Sequence, residues 1–341
     1  IQPVAVQIAK LRFFIALICD QKTDPKAPNQ GVLPLPNLET RIVAANTLMP
    51  IPETAVDGHV ADLFDSEVRK HRARLQQVRD EHFAARHPAT KRRCREKDAA
   101  IRKELADLLQ HEAHLDKKVA GMLADWDPYD QNTFAPFFDP AWMFGDAYLR
   151  GAKATEAGFD IVTGNPPYVR QEKIKDQKDV LKPYYPDTFT GTADLYVYFY
   201  DRALQLLRPG GILSYISSNK WYRAAYGEKL RAHLGKTATL IHAIDFGDAP
   251  VFTAIAYPTI VIVRKTAPSA KHAFHALNWD PVTPNTEIAN FAAFYAAKST
   301  RVAQSSLTAD GWRFMARKGH DLLEKIRAAR TPLGEFVHGR F

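Results

Sequence analysis

Residues 159–168 read Phe-Asp-Ile-Val-Thr-Gly-Asn-Pro-Pro-Tyr, and this stretch decides the fold. Its first half is a short apolar run, with Phe159, Ile161 and Val162 close together, and it predicts a strand over Phe159–Thr163. Two prolines then stop the ladder, because proline has no N–H to donate and holds φ near −65°. The chain therefore leaves the sheet at Asn165-Pro166-Pro167-Tyr168. From average residue usage, those four residues in that order arise by chance in roughly one chain per thousand of this length.

Downstream, the alternation of strand and helix continues. Strands are expected at Ile212–Ser217, Thr239–Ile244 and Pro258–Arg264, and helices at Ala193–Leu207 and Arg223–Leu234, with Pro209-Gly210-Gly211 as a stop between helix and strand. Upstream, Gln2–Cys19 carries apolar residues at helical spacing with Lys10 and Arg12 on the wet side. A Pro/Asn/Gly loop from Asp24 to Asn37 follows, then a short strand at Arg41–Ala45 that ends in Asn46. Strands alternating with amphipathic helices make an open α/β sheet, which binds ligands beyond the carboxyl ends of its strands. Asn165–Tyr168 falls at such an end.

A different composition interrupts this pattern. Val60–Ala120 holds 15 Lys and Arg against 11 Asp and Glu, with leucines and valines three and four apart, broken near His87-Pro88. This reads as a charged helical hairpin, Asp57–Arg86 and Thr90–Leu123, followed by an aromatic loop from Trp126 to Tyr148. A charge-rich helix pair of this kind reads as a solvated spacer before it reads as a DNA-binding surface. The organisation expected is a discontinuous catalytic core at 1–52 and 150–265, a helical insertion and aromatic loop at 53–149, and a connector at 266–341. That connector has weaker patterning and one clear helix near Gly319–Ala329.

The bulk numbers are those of a globular protein: 341 residues, 46% hydrophobic and 25% charged. No apolar run reaches the roughly 18 residues of a membrane span. Two cysteines, Cys19 and Cys94, lack ligand spacing, which leaves no disulfide framework or zinc motif and suits a reducing cytoplasm. The net charge of +8 favours a polyanionic partner without identifying one.

The chemistry that Asn165–Tyr168 suits is alkylation of an exocyclic amine. Such a nitrogen is a poor nucleophile because its lone pair is delocalised into the ring. A site that accepts hydrogen bonds from both N–H groups pulls it toward tetrahedral geometry. The Asn165 side-chain oxygen and the Pro166 carbonyl can be those acceptors, with Pro166 and Pro167 holding the turn. Tyr168 offers a flat face on which a flipped base can stack, worth on the order of 1–3 kcal/mol. No metal is needed for this step. The plainer alternative is a proline-rich turn closing a strand, with a tyrosine packed beneath it.

On these residues the chain resembles the γ-class N6-adenine DNA methyltransferases. It is closest to the methyltransferase region of type IIG (Eco57I-like) restriction–modification enzymes and the related phage-defence proteins. Asp160–Tyr168 carries the family's catalytic motif. The resemblance implies a Rossmann-like methyltransferase sheet, S-adenosylmethionine as cofactor, double-stranded DNA as partner and a bacterial cytoplasmic location. Ile1, in Ile1-Gln2-Pro3, would lie against the cofactor's adenine, and Asn46 would hydrogen-bond it where the family usually has Asp. Phe199, in Asp194-Leu-Tyr-Val-Tyr-Phe199, would pack on the other adenine face. Phe252 would stack on the target base opposite Tyr168. Taken singly, Phe199 reads as a core residue and Phe252 as a strand-edge aromatic, and their shared order around the catalytic motif is what unites them. Pro332–Phe336 looks like the opening of a target-recognition domain.

The family's glycine-rich cofactor turn and first strand are absent, so these residues are expected to belong to a longer protein and to be inactive alone. A nuclease domain in the same polypeptide or system is an open expectation. Other substrates for this motif are an RNA base, cytosine N4 and a glutamine amide, and a non-catalytic DNA-binding subunit is the reading outside enzymes.

Overall fold

The computed structural model describes residues 2–51, 61–112, 114–145, 157–249, 251–252, 257–279 and 290–314, with isolated positions at 148, 322, 325, 326 and 328. The chain divides into two compact units, Ile1–Ala157 and Gly158–Phe341.

The first unit is helical. Helix α1 (Pro3–Cys19) opens with proline in its first turn, where the missing N–H costs nothing. The expectation that Lys10 faces water is corrected: Val6 and Lys10 are the buried residues of this helix, while Val4, Ile8, Leu11, Ile15 and Ile18 are exposed. Burial lowers the Lys10 pKa, opposed by the nearby Glu39 carboxylate. The hairpin is present as α2 (Ala61–Ala84) and α3 (Pro88–Glu112). Its second arm does not run unbroken to Leu123. Asp116 caps a new helix, α4 (Lys117–Asp125), by accepting from the backbone N–H groups of Lys118 and Val119. A short α5 (Pro140–Phe144) lies in the aromatic segment.

Arg41–Ala45 is not a strand. Among the described residues it makes one isolated parallel bridge, Ala45 to Ala135, with Ala135 N–H donating to the Ala44 carbonyl at 2.9 Å. β propensity without a neighbour to extend the ladder leaves a bridge only.

The hairpin is more than a solvated spacer. Leu105, Leu109, Leu115 and Leu123 pack with Trp126, Phe137 and Trp142 in one apolar core. Beside it lies a fully buried carboxylate, Asp98. Arg79 Nε and Arg102 Nε each donate to it at 2.7 Å, and the Tyr129 hydroxyl donates at 3.2 Å. Arg79 also donates to the carbonyls of Trp142 and Met143, and Arg102 to those of Ala124 and Trp126. These bonds fasten the hairpin to the aromatic segment.

The second unit holds a six-stranded mixed sheet in the order β1-β2-β4-β3-β5-β6. Its strands are β1 (Phe159–Gly164), β2 (Leu207–Ser218), β3 (Thr239–Asp245), β4 (Pro258–Arg264), β5 (Ala273–Asn278) and β6 (Thr300–Ala303). The helices are a short α6 (Lys178–Leu181), α7 (Leu195–Leu206), α8 (Glu228–Thr237) and α9 (Phe291–Lys298). β1 runs parallel to β2, β4 is antiparallel to both β2 and β3, and β3 is parallel to β5. The carboxyl ends of β1, β2 and β3 therefore share one edge. This is the expected α/β architecture, with Leu213, Leu240, Ala243, Val261 and Val263 fully buried at its centre. Among the described residues β1 pairs with β2 alone, and its Ile161 is 64% exposed.

Pro209-Gly210-Gly211 does not separate helix from strand, because β2 starts at Leu207 and runs through it. The register passes from Phe159–Leu207 to Ile161–Ile212, a bulge that puts Gly210 at φ +76°. The helix expected at Arg223–Leu234 begins later, at Glu228, after a 3-10 turn. The tail adds two strands and a helix that its weak pattern did not predict. The helix expected at Gly319–Ala329, and Pro332–Phe336, fall largely or wholly outside the described residues.

Candidate active site

Asn165 follows the last residue of β1 and is exposed, whereas Pro166 beneath it is buried and Pro167 is exposed. The strand supplies the direction and the prolines the stop, so the amide is presented just beyond the sheet. Tyr168 is half-buried. Its hydroxyl lies in the interior with no protein partner, and burial raises its pKa. Its ring meets Tyr196 edge-on, with centroids 6.3 Å apart and planes at 79°. Edge-to-face contact of this kind favours one ring orientation.

Two bonds pin the segment that leaves the turn to the start of α7. Leu195 N–H donates to the Val169 carbonyl at 2.9 Å, and Gln171 N–H donates to Asp194 Oδ1 at 3.0 Å. Buried Lys178 donates to Gln171 Oε1 at 3.2 Å and to the Gly191 carbonyl. The Tyr226 hydroxyl donates to Asp194 Oδ2 at 3.3 Å and lies 2.6 Å from that of Tyr196. Burial raises the pKa of both phenols, that of Tyr226 to about 12. Near neutral pH they are therefore hydrogen-bond donors and not bases.

Phe199 is half-exposed on α7, between Tyr198 and Tyr200, which are both fully buried. Tyr198 donates to the Thr190 carbonyl at 3.0 Å, and the Tyr200 hydroxyl lies 2.9 Å from Ser217 Oγ. Phe252 is half-exposed in the connection from β3 to β4, which leaves the sheet at the same edge as Asn165. Asn46 belongs to the first unit, half-exposed, with its backbone N–H donating to the Ala135 carbonyl at 2.9 Å. Ile1 lies outside the described residues. One edge of the sheet thus gathers Asn165, Pro166, Pro167, Tyr168 and Phe252, with Phe199 on the helix that braces the turn.

Other residues at this edge were not singled out in the sequence. Asn219, directly after β2, donates to Asp245 Oδ1 at 2.7 Å, and that oxygen also accepts from Gly247 N–H at 3.0 Å. Tyr257 stands at φ +45° with the Lys220 ammonium 5.9 Å from its ring centroid. The available signal was position alone, a polar Ser-Ser-Asn-Lys run where a strand ends.

Comparison with known proteins identifies the family. Residues 1–252 match the model of the Eco57I restriction-modification methylase family. Type II methyltransferase M.XhoI of Xanthomonas vasicola is 40% identical over 118 residues, covering 33% of this chain and 21% of its own. Type II methyltransferase M.PaeR7I of Pseudomonas aeruginosa is 36% identical over 135 residues, 38% of this chain and 23% of its own. The type II restriction enzyme and methyltransferase RM.Eco57I of Escherichia coli is 26% identical over 192 residues, 54% of this chain and 18% of its own. The matched region thus spans about a fifth of the length of these relatives. With nearly three quarters of its residues inside the family match, the chain belongs to the Eco57I restriction–modification methylases.

Proposed function

We propose that the complete polypeptide transfers the methyl group of S-adenosylmethionine to adenine N6 in double-stranded DNA. The observation that carries this reading is the exposed Asn165 beyond β1, backed by buried Pro166 and followed by a tyrosine whose ring is fixed by Tyr196. That geometry offers two acceptors and a stacking face, and no ionised base is needed at the outset. The Asn165 carboxamide oxygen and the Pro166 carbonyl accept the two N6 hydrogens, which turns the nitrogen lone pair out of the ring. Tyr168 and Phe252 hold the flipped base between them. Asn165 and Pro166 would hold N6 in this orientation while it is alkylated, and the proton thereby made acidic would pass from N6 to water.

The residues present fit one end of the cofactor. Phe199 offers a half-exposed aromatic face for its adenine. Among the described residues, no glycine-rich turn suited to its methionine end follows a strand. When bound, the cofactor supplies an electrophilic methyl group on a sulfonium.

The test is tritium transfer from labelled S-adenosylmethionine to unmethylated bacterial DNA by the complete polypeptide. Label recovered as N6-methyladenine is expected. Label recovered as N4-methylcytosine, or in RNA or protein instead of DNA, would overturn the proposal.

A further inference from the structure

Asp194 occupies the N-cap position of α7 with extended backbone angles, φ −71° and ψ 155°, yet its side chain makes no capping bond. Aspartate in that position normally accepts from the helix's own second or third N–H group and so stabilises the helix. Here both carboxylate oxygens are turned elsewhere. Oδ1 takes the N–H of Gln171, 23 residues earlier, and Oδ2 takes the Tyr226 hydroxyl. The next residue, Leu195, gives its N–H to Val169. The two bonds hold residues 169 and 171, directly after Tyr168, against the start of the helix that carries Tyr196 and Phe199. Lys178 closes the same loop from the other side through Gln171 Oε1 and Gly191. A local rule of helix capping is broken at Asp194, and its side chain ties down the turn instead.

We infer that Asp194 is a positioning residue. It sets the rest position of Asn165–Tyr168 by fixing the backbone at Gln171, and it joins that turn mechanically to the helix bearing the cofactor-side Phe199. The inference deepens the proposed function and rests on it. Such a residue acts on the rate of transfer, since a displacement of about 1 Å at a reacting group costs on the order of a hundredfold. Binding of cofactor to the free protein does not depend on it.

The experiment uses the complete polypeptide with Asp194→Ala and Asp194→Asn, the latter keeping an oxygen for Gln171 N–H. For Asp194→Ala, kcat for transfer to DNA falls on the order of ten- to a hundredfold with Kd for S-adenosylmethionine unchanged, and Asp194→Asn recovers most of the rate. Amide hydrogen exchange at Gln171 accelerates in Asp194→Ala and stays near wild type in Asp194→Asn. A wild-type kcat in Asp194→Ala, a loss of cofactor affinity as large as the loss of rate, or unchanged exchange at Gln171 would each overturn the assignment. Accelerated exchange at Gln171 in a protein whose wild type methylates no DNA sustains the tether, and it is then the methyl-transfer reading that has failed.

Discussion

The helical hairpin and the sheet solve the same problem with different chemistry. The sheet of the second unit is cored by aliphatic strands, with Leu213, Leu240, Val261 and Val263 fully buried. Phenols fill the space between sheet and helices, and Tyr196, Tyr198, Tyr200 and Tyr222 are each at least 98% buried. The hairpin has its leucine seam, but its attachment to the aromatic segment runs through a buried carboxylate shared by two guanidiniums. Apolar packing tolerates small losses gradually. A shared buried charge does not, because removing one partner leaves the others unpaired in a medium that solvates them poorly. The sheet carries the candidate chemistry on a forgiving scaffold, whereas the hairpin depends on a few bonds that must all be present.

The largest expected effect breaks that contrast directly. Asp98→Ala leaves Arg79 and Arg102 buried without their shared acceptor, and chemical denaturation should show a loss of about 3–5 kcal/mol. Replacing Asp98, Arg79 and Arg102 together by apolar residues of similar volume should restore most of it. A loss under about 1 kcal/mol for Asp98→Ala would place it with ordinary surface changes and remove the distinction between the regions.

Smaller effects come from pH, and the two units should differ in sign. His82 is fully buried against Tyr129, both ring nitrogens lack a protein partner, and burial lowers its pKa from 6.5. The unfolded chain therefore binds the proton first, and His82 contributes stability that is lost as pH falls below 6.5. His82→Leu should flatten the acid side of the stability profile, and a profile of unchanged slope between pH 6.5 and the folded value would contradict this. In the second unit, burial raises the pKa of Asp201 above 3.8 although Thr188 donates to it at 2.6 Å. Here the folded state holds the proton longer, so the contribution is complete below pH 3.8 and is lost as pH rises through the raised value. Asp201→Asn should gain on the wild type as pH rises above 3.8, and a difference that shrinks instead would reverse the sign assigned to this region.

The two regions also differed in how far they could be read from sequence. β1 to β4 were legible because a buried strand needs consecutive or alternating apolar residues, and Phe159–Val162 and Thr259–Val263 supply them. β5 and β6 were not, since Ala-Phe-His-Ala-Leu-Asn and Thr-Arg-Val-Ala are short, partly polar and gain their order from pairing with β3 and with each other. Lys10 misled because residues distant in sequence, among them Glu39 and Gln131, line a cavity with it. Likewise Arg79 and Asp98 read as surface charges until the hairpin closes. The turn proposed as catalytic was legible because the chemistry proposed for it lies in four consecutive residues. The tether at Asp194 was not, because its meaning depends on which distant N–H it accepts.

In the proposed reaction Asn165 activates the amine that receives the methyl group. Its most direct test is single-turnover methyl transfer by the complete polypeptide with Asn165→Ala, alongside DNA and cofactor affinity and thermal unfolding. Because Asn165 is exposed, unfolding and affinities are expected to stay at wild type, with transfer reduced to background. Transfer at a substantial fraction of the wild-type rate would contradict it.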